Sequence, residues 1–255
     1  MNEPLILLSP SKGMRSMLEV RSHGSSACIF PETTSKVVAA IQQMEAGHAN
    51  KLFKVSDSLW TEVAKMWSKD LDHYIRPENG LNGLTAYTGE AFKYLNAGQL
   101  TEEAALKANR SLFVMSALYG VVSATMCIAP YRLEMQSRLA VVEHKNLYSL
   151  WRPILTQWVN TADAAFVIDA CSGEYSKAID WKNVKQPHVQ VDFKQIKNGQ
   201  LKSISAFSKQ ARGAFVRWCL ENNIKEMKSL TSFSELGYRM HTFDDNKLVF
   251  LRDSQ

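Results

Sequence analysis

Three short apolar runs, each breaking into a loop of small residues, constrain this chain more than any other feature. Leu5-Ile6-Leu7-Leu8 runs into Ser9-Pro10-Ser11-Lys12-Gly13. Leu112-Phe113-Val114-Met115 runs into Ser116-Ala117-Leu118-Tyr119-Gly120, and Phe166-Val167-Ile168 into Asp169-Ala170-Cys171-Ser172-Gly173-Glu174. Uninterrupted apolar runs of this length suit strands buried on both faces, as in a parallel sheet covered by helices. If the three strands are parallel, their carboxyl-end loops gather on one rim, where open α/β sheets place their ligands. The expected fold is α/β (mixed α+β): a central, largely parallel or mixed sheet flanked by helices, with a C-terminal β-hairpin and helix.

The remaining patterning fits that sheet. Thr33, Thr34 and Ser35 offer N-caps for a helix carrying Val37, Val38, Ile41 and Met44. Asp57 is placed to cap a helix with Leu59, Val63, Met66 and Trp67 on one face. Residues 15–32, with His23, Gly24, Ser25 and Ser26, are read as an exposed loop, and Arg76-Pro77-Glu78-Asn79-Gly80 as a turn. Thr101 opens a helix that delivers the chain to the second apolar run. A helix over 147–159 aligns Leu147, Leu150, Trp151, Ile154 and Trp158, with Pro153 predicting a late start or a kink. Alternating segments around Asn198-Gly199 predict a hairpin, a helix follows over 208–221, and Leu248-Val249-Phe250-Leu251 closes the chain. There is no internal repeat or linker-like stretch, so one domain over 1–255 is expected.

Composition narrows the function classes. Apolar residues make up 45% and charged residues 22% of 255 positions, enough for a core and too apolar for wholesale disorder. The absence of a leader pattern and of any membrane-length apolar stretch predicts a cytoplasmic protein with no membrane partner. Cys28, Cys127, Cys171 and Cys219 lie far apart, as free thiols in a reducing compartment do. The histidines are scattered, so neither a metal nor any other cofactor is expected. The frames of a Walker loop, a dinucleotide fingerprint, a zinc hydrolase and a serine esterase are all missing. Net charge is +5, but the excess is local: between Lys182 and Arg217 there are eight basic residues and one acidic residue, Asp192. That is how an electrostatic footprint for phosphate looks; solvated lysines on a hairpin and helix account for it equally.

Several residues can carry chemistry. On the helix over 208–221, Ala211, Ala214, Phe215 and Trp218 form an apolar stripe joined by Phe207, and Lys209, Arg212 and Arg217 lie opposite. Such a face grips an acidic ligand or is simply solvated. Ser172 is placed to cap a short helix holding Glu174 and Lys177, with Glu174 a general acid or base or a partner of the helix dipole. Cys171 is a weak candidate nucleophile because no histidine adjoins it. In extended Pro130-Tyr131-Arg132-Leu133-Glu134-Met135, Arg132 and Glu134 face one way and Tyr131 and Leu133 the other. They position a ligand or form ion pairs.

Taken together, these stretches resemble the YaaA family of bacterial peroxide stress proteins. The resemblance rests on Ser9-Pro10-Ser11-Lys12, Tyr87-Thr88-Gly89, Ser116 to Gly120, Pro130 to Met135, Leu147-Tyr148, Glu174 to Lys177, Lys197-Asn198-Gly199, and Ser208 to Gly213 with Arg217. They occur in the family's order across nearly the whole chain. The resemblance implies a cytoplasmic YaaA-like α/β protein with a basic cleft that limits free intracellular iron during peroxide stress and binds DNA. It further implies a helix-hairpin-helix-like element, which falls over Ser116 to Met135. Two positions depart from the family pattern: Ala117 stands where the hairpin usually has glycine, and Gly13 follows Lys12 where threonine is usual. An alanine in a position needing positive φ would strain the turn.

Two readings follow. In the first, Lys12, Tyr87, Tyr119, Arg132, Lys177, Lys209, Arg212 and Arg217 contact DNA, largely without sequence specificity and with steep salt dependence. In the second, the cleft is that of an enzyme acting on a small anionic substrate, using Glu134 and Glu174 with Lys12, Arg132 and Lys177. A raised pKa on either glutamate in a pocket shared with Lys12 favours the second reading. Direct iron sequestration fits poorly, since hard-ligand sites need clustered carboxylates or histidines.

Overall fold

A computed structural model describes residues 3–16, 27–45, 52–53, 56–77, 80–197 and 199–252. The first apolar run forms β1 (Leu5–Leu8), buried along its whole length. It pairs in parallel with the other two runs, β3 (Leu112–Ser116) on one side and β6 (Val167–Ala170) on the other. Ile6 lies opposite Leu112 and Leu5 opposite Val167, so the three carboxyl ends reach one rim. The sheet runs in the order β4 (Gly120–Ser123), β3, β1, β6, β7 (His188–Lys197), β10 (Lys247–Arg252), β9 (Tyr238–Asp244), with β8 (Gln200–Lys202) also paired to β7. The pairings along β3, β1, β6, β7 and β10 are parallel, and those of β4, β8 and β9 are antiparallel. The expected mixed sheet flanked by helices is the fold observed. A small antiparallel ladder, β2 (Leu81–Asn82) with β5 (Cys127–Ile128), lies apart from it.

Local chemistry explains most helix boundaries. α1 (Pro31–Gln42) starts earlier than Thr33, because Pro31 presets the first turn. Thr34 is buried within it, and the Ser35 hydroxyl turns back onto the Pro31 carbonyl at 2.7 Å. α2 (Asp57–Trp67) begins at Asp57 itself, with Ser56 at the cap position, and buries Val63 and Trp67. α3 (Leu71–Ile75) is capped by Asp70, which accepts from the His73 N–H. α4 (Glu90–Leu95) ends at Asn96 in the left-handed region. Thr101 caps α5 (Glu102–Ser111) as expected, accepting from the Ala104 N–H.

α6 (Leu147–Thr161) neither starts late nor stops at Pro153. An Asn146–Ser149 capping box sets its start, and burial of Leu147, Leu150, Trp151, Leu155 and Val159 offsets the amide hydrogen bond that Pro153 cannot make. α7 (Gly173–Ser176) is a single turn, and α8 (Ser205–Glu221) is the long helix near the C-terminal strands. The hairpin around Gly199 forms, with φ 71° at that glycine; Asn198 lies outside the described residues. So do His23 to Ser26 of the first loop and Glu78 and Asn79 of the proposed turn. β9 escaped the sequence reading because its middle, Arg239-Met240-His241, is exposed and carries no apolar alternation.

The segment Ser116 to Met135 contains no helix, which corrects the expectation of a helix-hairpin-helix-like element there. β3 turns directly into antiparallel β4, with Val114 opposite Val122. The Ser116 hydroxyl accepts from the Leu118 and Tyr119 N–H groups and closes the turn. β-Branched Val121 and Val122 favour a strand over a helix there. Ala117 is absent from the described non-glycine residues with positive φ, so the expected strain does not arise; Gly120, at φ 73°, takes the left-handed position. Among the described residues no helix is long and apolar enough to cross a membrane, and no three His, Cys, Asp or Glu side chains gather as metal ligands.

Candidate functional site

Two of the three rim loops open onto one cavity of about 400 Å³. The loop after β1 contributes Ser9 to Gly13, and the loop after β6 with the α7 turn that follows it contributes Ser172, Glu174 and Tyr175. The start of α4 adds Gly89, Glu90 and Ala91, the extended segment adds Tyr131 to Glu134, and α8 adds Lys209 and Arg212. The loops are held by their small polar residues. Ser9 Oγ accepts from the Ser172 N–H at 2.8 Å and donates to Ser172 Oγ at 3.2 Å. Ser11 Oγ accepts from the Gly89 N–H and donates to the Gly13 carbonyl.

Glycines set the walls. At Gly213 a Cβ would stand 1.9 Å from the Ala91 carbonyl oxygen, so this backbone contact lets α8 press onto α4. A Cβ on Gly13 would come within 2.6 Å of Thr88 Oγ1, so Thr88 fills the space a side chain at position 13 would need.

The extended segment alternates as the sequence predicts: Tyr131, Leu133 and Met135 are buried, and Arg132 and Glu134 are half-buried. Glu134 pairs with Lys12 rather than Arg132, Oε1 to Nζ at 2.7 Å. Glu174 Oε1 accepts from the Gln136 N–H at 3.2 Å. Burial pushes the Glu174 pKa above the ordinary carboxylate value; the Gln136 N–H and Lys12 oppose the shift, and the charge of Glu134 adds to it. Glu90, missed from the sequence although Thr88-Gly89 beside it was singled out, is held below its usual pKa by the Gln210 amide and by Lys93. Burial pushes the phenols of Tyr131 and Tyr175 upward, so they stay neutral walls at physiological pH.

Four expected contact residues lie elsewhere. Tyr87 is buried, its hydroxyl 3.1 Å from that of Tyr131. Tyr119 is fully buried, its oxygen accepting from the Ala129 N–H. Lys177 is exposed at the end of α7 and does not line the cavity, although Arg152 donates to its carbonyl. Arg217 donates to the carbonyls of Leu95, Asn96 and Gln99 and pairs with Glu221 at 2.6 Å, tying α8 to α4. The basic face of α8 is therefore divided, Lys209 and Arg212 facing the cavity and Arg217 fastening the helix. Of the apolar stripe, Ala211, Ala214 and Phe215 are buried, whereas Phe207 is partly exposed under the Arg252 guanidinium.

Below the cavity, Asp169 is buried and accepts from the Cys171 N–H, Ser176 Oγ and Gln190 Nε2, with its pKa raised by burial. Its signal in the sequence was a lone acid at the end of an apolar strand. The Cys171 thiol is pushed well up by burial and by Asp169, which removes it as a nucleophile. The cavity thus joins four cations, Lys12, Arg132, Lys209 and Arg212, to three carboxylates, Glu90, Glu134 and Glu174.

Comparison with known proteins places the whole chain. The family model described as peroxide stress protein YaaA matches residues 5–243. A UPF0246 protein of Shewanella pealeana is 33% identical over 260 residues, covering 98% of this chain and 100% of the relative. A UPF0246 protein of Alteromonas mediterranea is 30% identical over 98% of this chain and 99% of its own length. One from Flavobacterium psychrophilum is 28% identical over 97% of this chain and 99% of its own length.

Proposed function

The chain belongs to the peroxide stress protein YaaA family, and from that premise we propose that its rim cavity takes a small anionic molecule and exchanges a proton with it through Glu174. The observation that carries this reading is Glu174 itself, a half-buried carboxylate with a raised pKa in the same cavity as Lys12, Arg132, Lys209 and Arg212. A carboxylate inside a purely electrostatic phosphate groove repels its ligand, whereas one poised nearer neutrality is suited to general acid–base work. A cavity of about 400 Å³ also suits a small molecule better than a duplex. In this reading Arg132, Lys209 and Arg212 hold the anion, Lys12 and Glu134 shape the mouth, and Glu174 moves the proton.

The test is complementation of peroxide sensitivity in a bacterial strain lacking its own family member, with the same variants assayed for duplex DNA binding across a salt series. Wild type is expected to restore resistance and folded Glu174→Gln to fail. Full rescue by Glu174→Gln, together with tighter and steeply salt-dependent DNA binding, would overturn the reading in favour of a DNA-binding cleft.

A further inference from the structure

Resting on that small-anion reading, we propose that the cavity is built for a terminal phosphate monoester, with Arg212 as its anchor. The Arg212 side chain lines the cavity and is only 12% exposed. Its Nε is buried without a hydrogen-bond partner among the described residues. The carboxylate paired with it, Asp192 Oδ1, stands 3.7 Å from Nη2, beyond hydrogen-bond length. Asp169 behind it is already engaged by Cys171, Ser176 and Gln190. A desolvated guanidinium with a donor unmade is costly, and an oxyanion accepting from the guanidinium edge removes that cost through a two-pronged contact.

Charge selects the class of oxyanion. Lys12 is taken by Glu134, and Glu90 by Lys93 and Gln210. Asp192 lies outside the cavity lining and is shared with Lys194, 3.7 Å away. Among the described residues, no hydrogen bond or ion pair engages the Arg132 or Lys209 side chains, so in the cavity Arg132, Lys209 and Arg212 face Glu174 alone, an excess of two positive charges. A phosphate monoester, carrying roughly −1.5 to −2 charges at neutral pH, answers that excess better than a carboxylate. Size favours a terminal group: about 400 Å³ holds a phosphate with its first sugar, whereas an internal phosphodiester of a duplex brings sugars and paired bases on both sides, far more than that volume. A phosphorylated metabolite and the phosphorylated end of a nucleic-acid strand share this chemistry.

The experiment is calorimetry on the full chain with four probes: glycerol 3-phosphate, glycerate, and one short single-stranded oligonucleotide with a 5′-phosphate or a 5′-hydroxyl. At least one phosphate probe is expected to bind about tenfold or more tighter than its partner lacking phosphate. Arg212→Lys, which keeps the charge and loses the fork, is expected to weaken that binding about tenfold with an unchanged melting temperature. Exposed Lys209→Ala, which leaves the interior intact, is expected to weaken it severalfold and serves should Arg212→Lys not fold. Preference for glycerol 3-phosphate or for the 5′-phosphorylated strand names the source, and either supports the proposal. Equal binding of glycerate overturns the phosphate class while the small-anion reading stands. Undiminished binding by folded Arg212→Lys overturns the anchor. Binding of neither small anion, with equal binding of both oligonucleotides, overturns the small-anion reading itself.

Discussion

The β1 and β6 loops and the β3–β4 turn begin alike and end differently. All three follow buried strands of one parallel ladder, reach the same rim and are rich in small residues. After β1 and β6 the chain leaves through loops clasped by Ser9 and Ser172, and a cavity opens between them. After β3 the chain doubles back at once into β4, and Ala117, Leu118 and Tyr119 are fully buried. A rim loop is available for chemistry only when the next element leaves the sheet. When the next element is the neighbouring antiparallel strand, the same composition becomes core.

That contrast is most easily broken with glycine. Gly120→Ala places a Cβ at φ 73° and 2.6 Å from Trp151 Cζ3, and is expected to destabilise by about 2–4 kcal/mol in urea unfolding. Gly173→Ala, at the first position of α7 just after the β6 loop and with open space around it, is expected to change stability by no more than about 0.5 kcal/mol. Equal effects would remove the distinction between the two loops. Next in size is Ser116→Ala, which leaves two buried N–H groups without their acceptor and takes a donor from Tyr131; a loss of about 1–3 kcal/mol is expected, with anion binding unchanged. Tyr119→Phe strands the Ala129 N–H and is expected to cost about 1–2 kcal/mol by the same measurement.

The smallest expected effect belongs to the open side. The raised Glu174 pKa means that the folded state holds its proton more tightly than the unfolded chain. Stability therefore falls as pH rises from the ordinary carboxylate range through the raised value. Glu174→Gln is expected to flatten that part of the profile in denaturant titrations run at successive pH values. An unaltered profile would mean that Glu174 is not the group responsible.

The legible part of the site followed from spacing. Arg132 and Glu134 share a face because an extended chain alternates, and Lys209 and Arg212 share one because a helix repeats near three and four. Illegible were the partners: Glu134 takes Lys12 from far away in sequence, and Arg217, five residues on from Arg212, is spent on carbonyls at the end of α4 and just after it.

What the sequence by itself determined was the parallel core, the rim and the family, since these rest on local runs, turn chemistry and the order of short motifs along the chain. Which tyrosines are buried, which cations face the cavity, and that Glu174 and Arg212 meet in it were decided by tertiary structure. Burial and charge pairing are set by what packs against a residue from elsewhere in the chain, and the approach of α8 to α4 across Gly213 is written in neither segment alone.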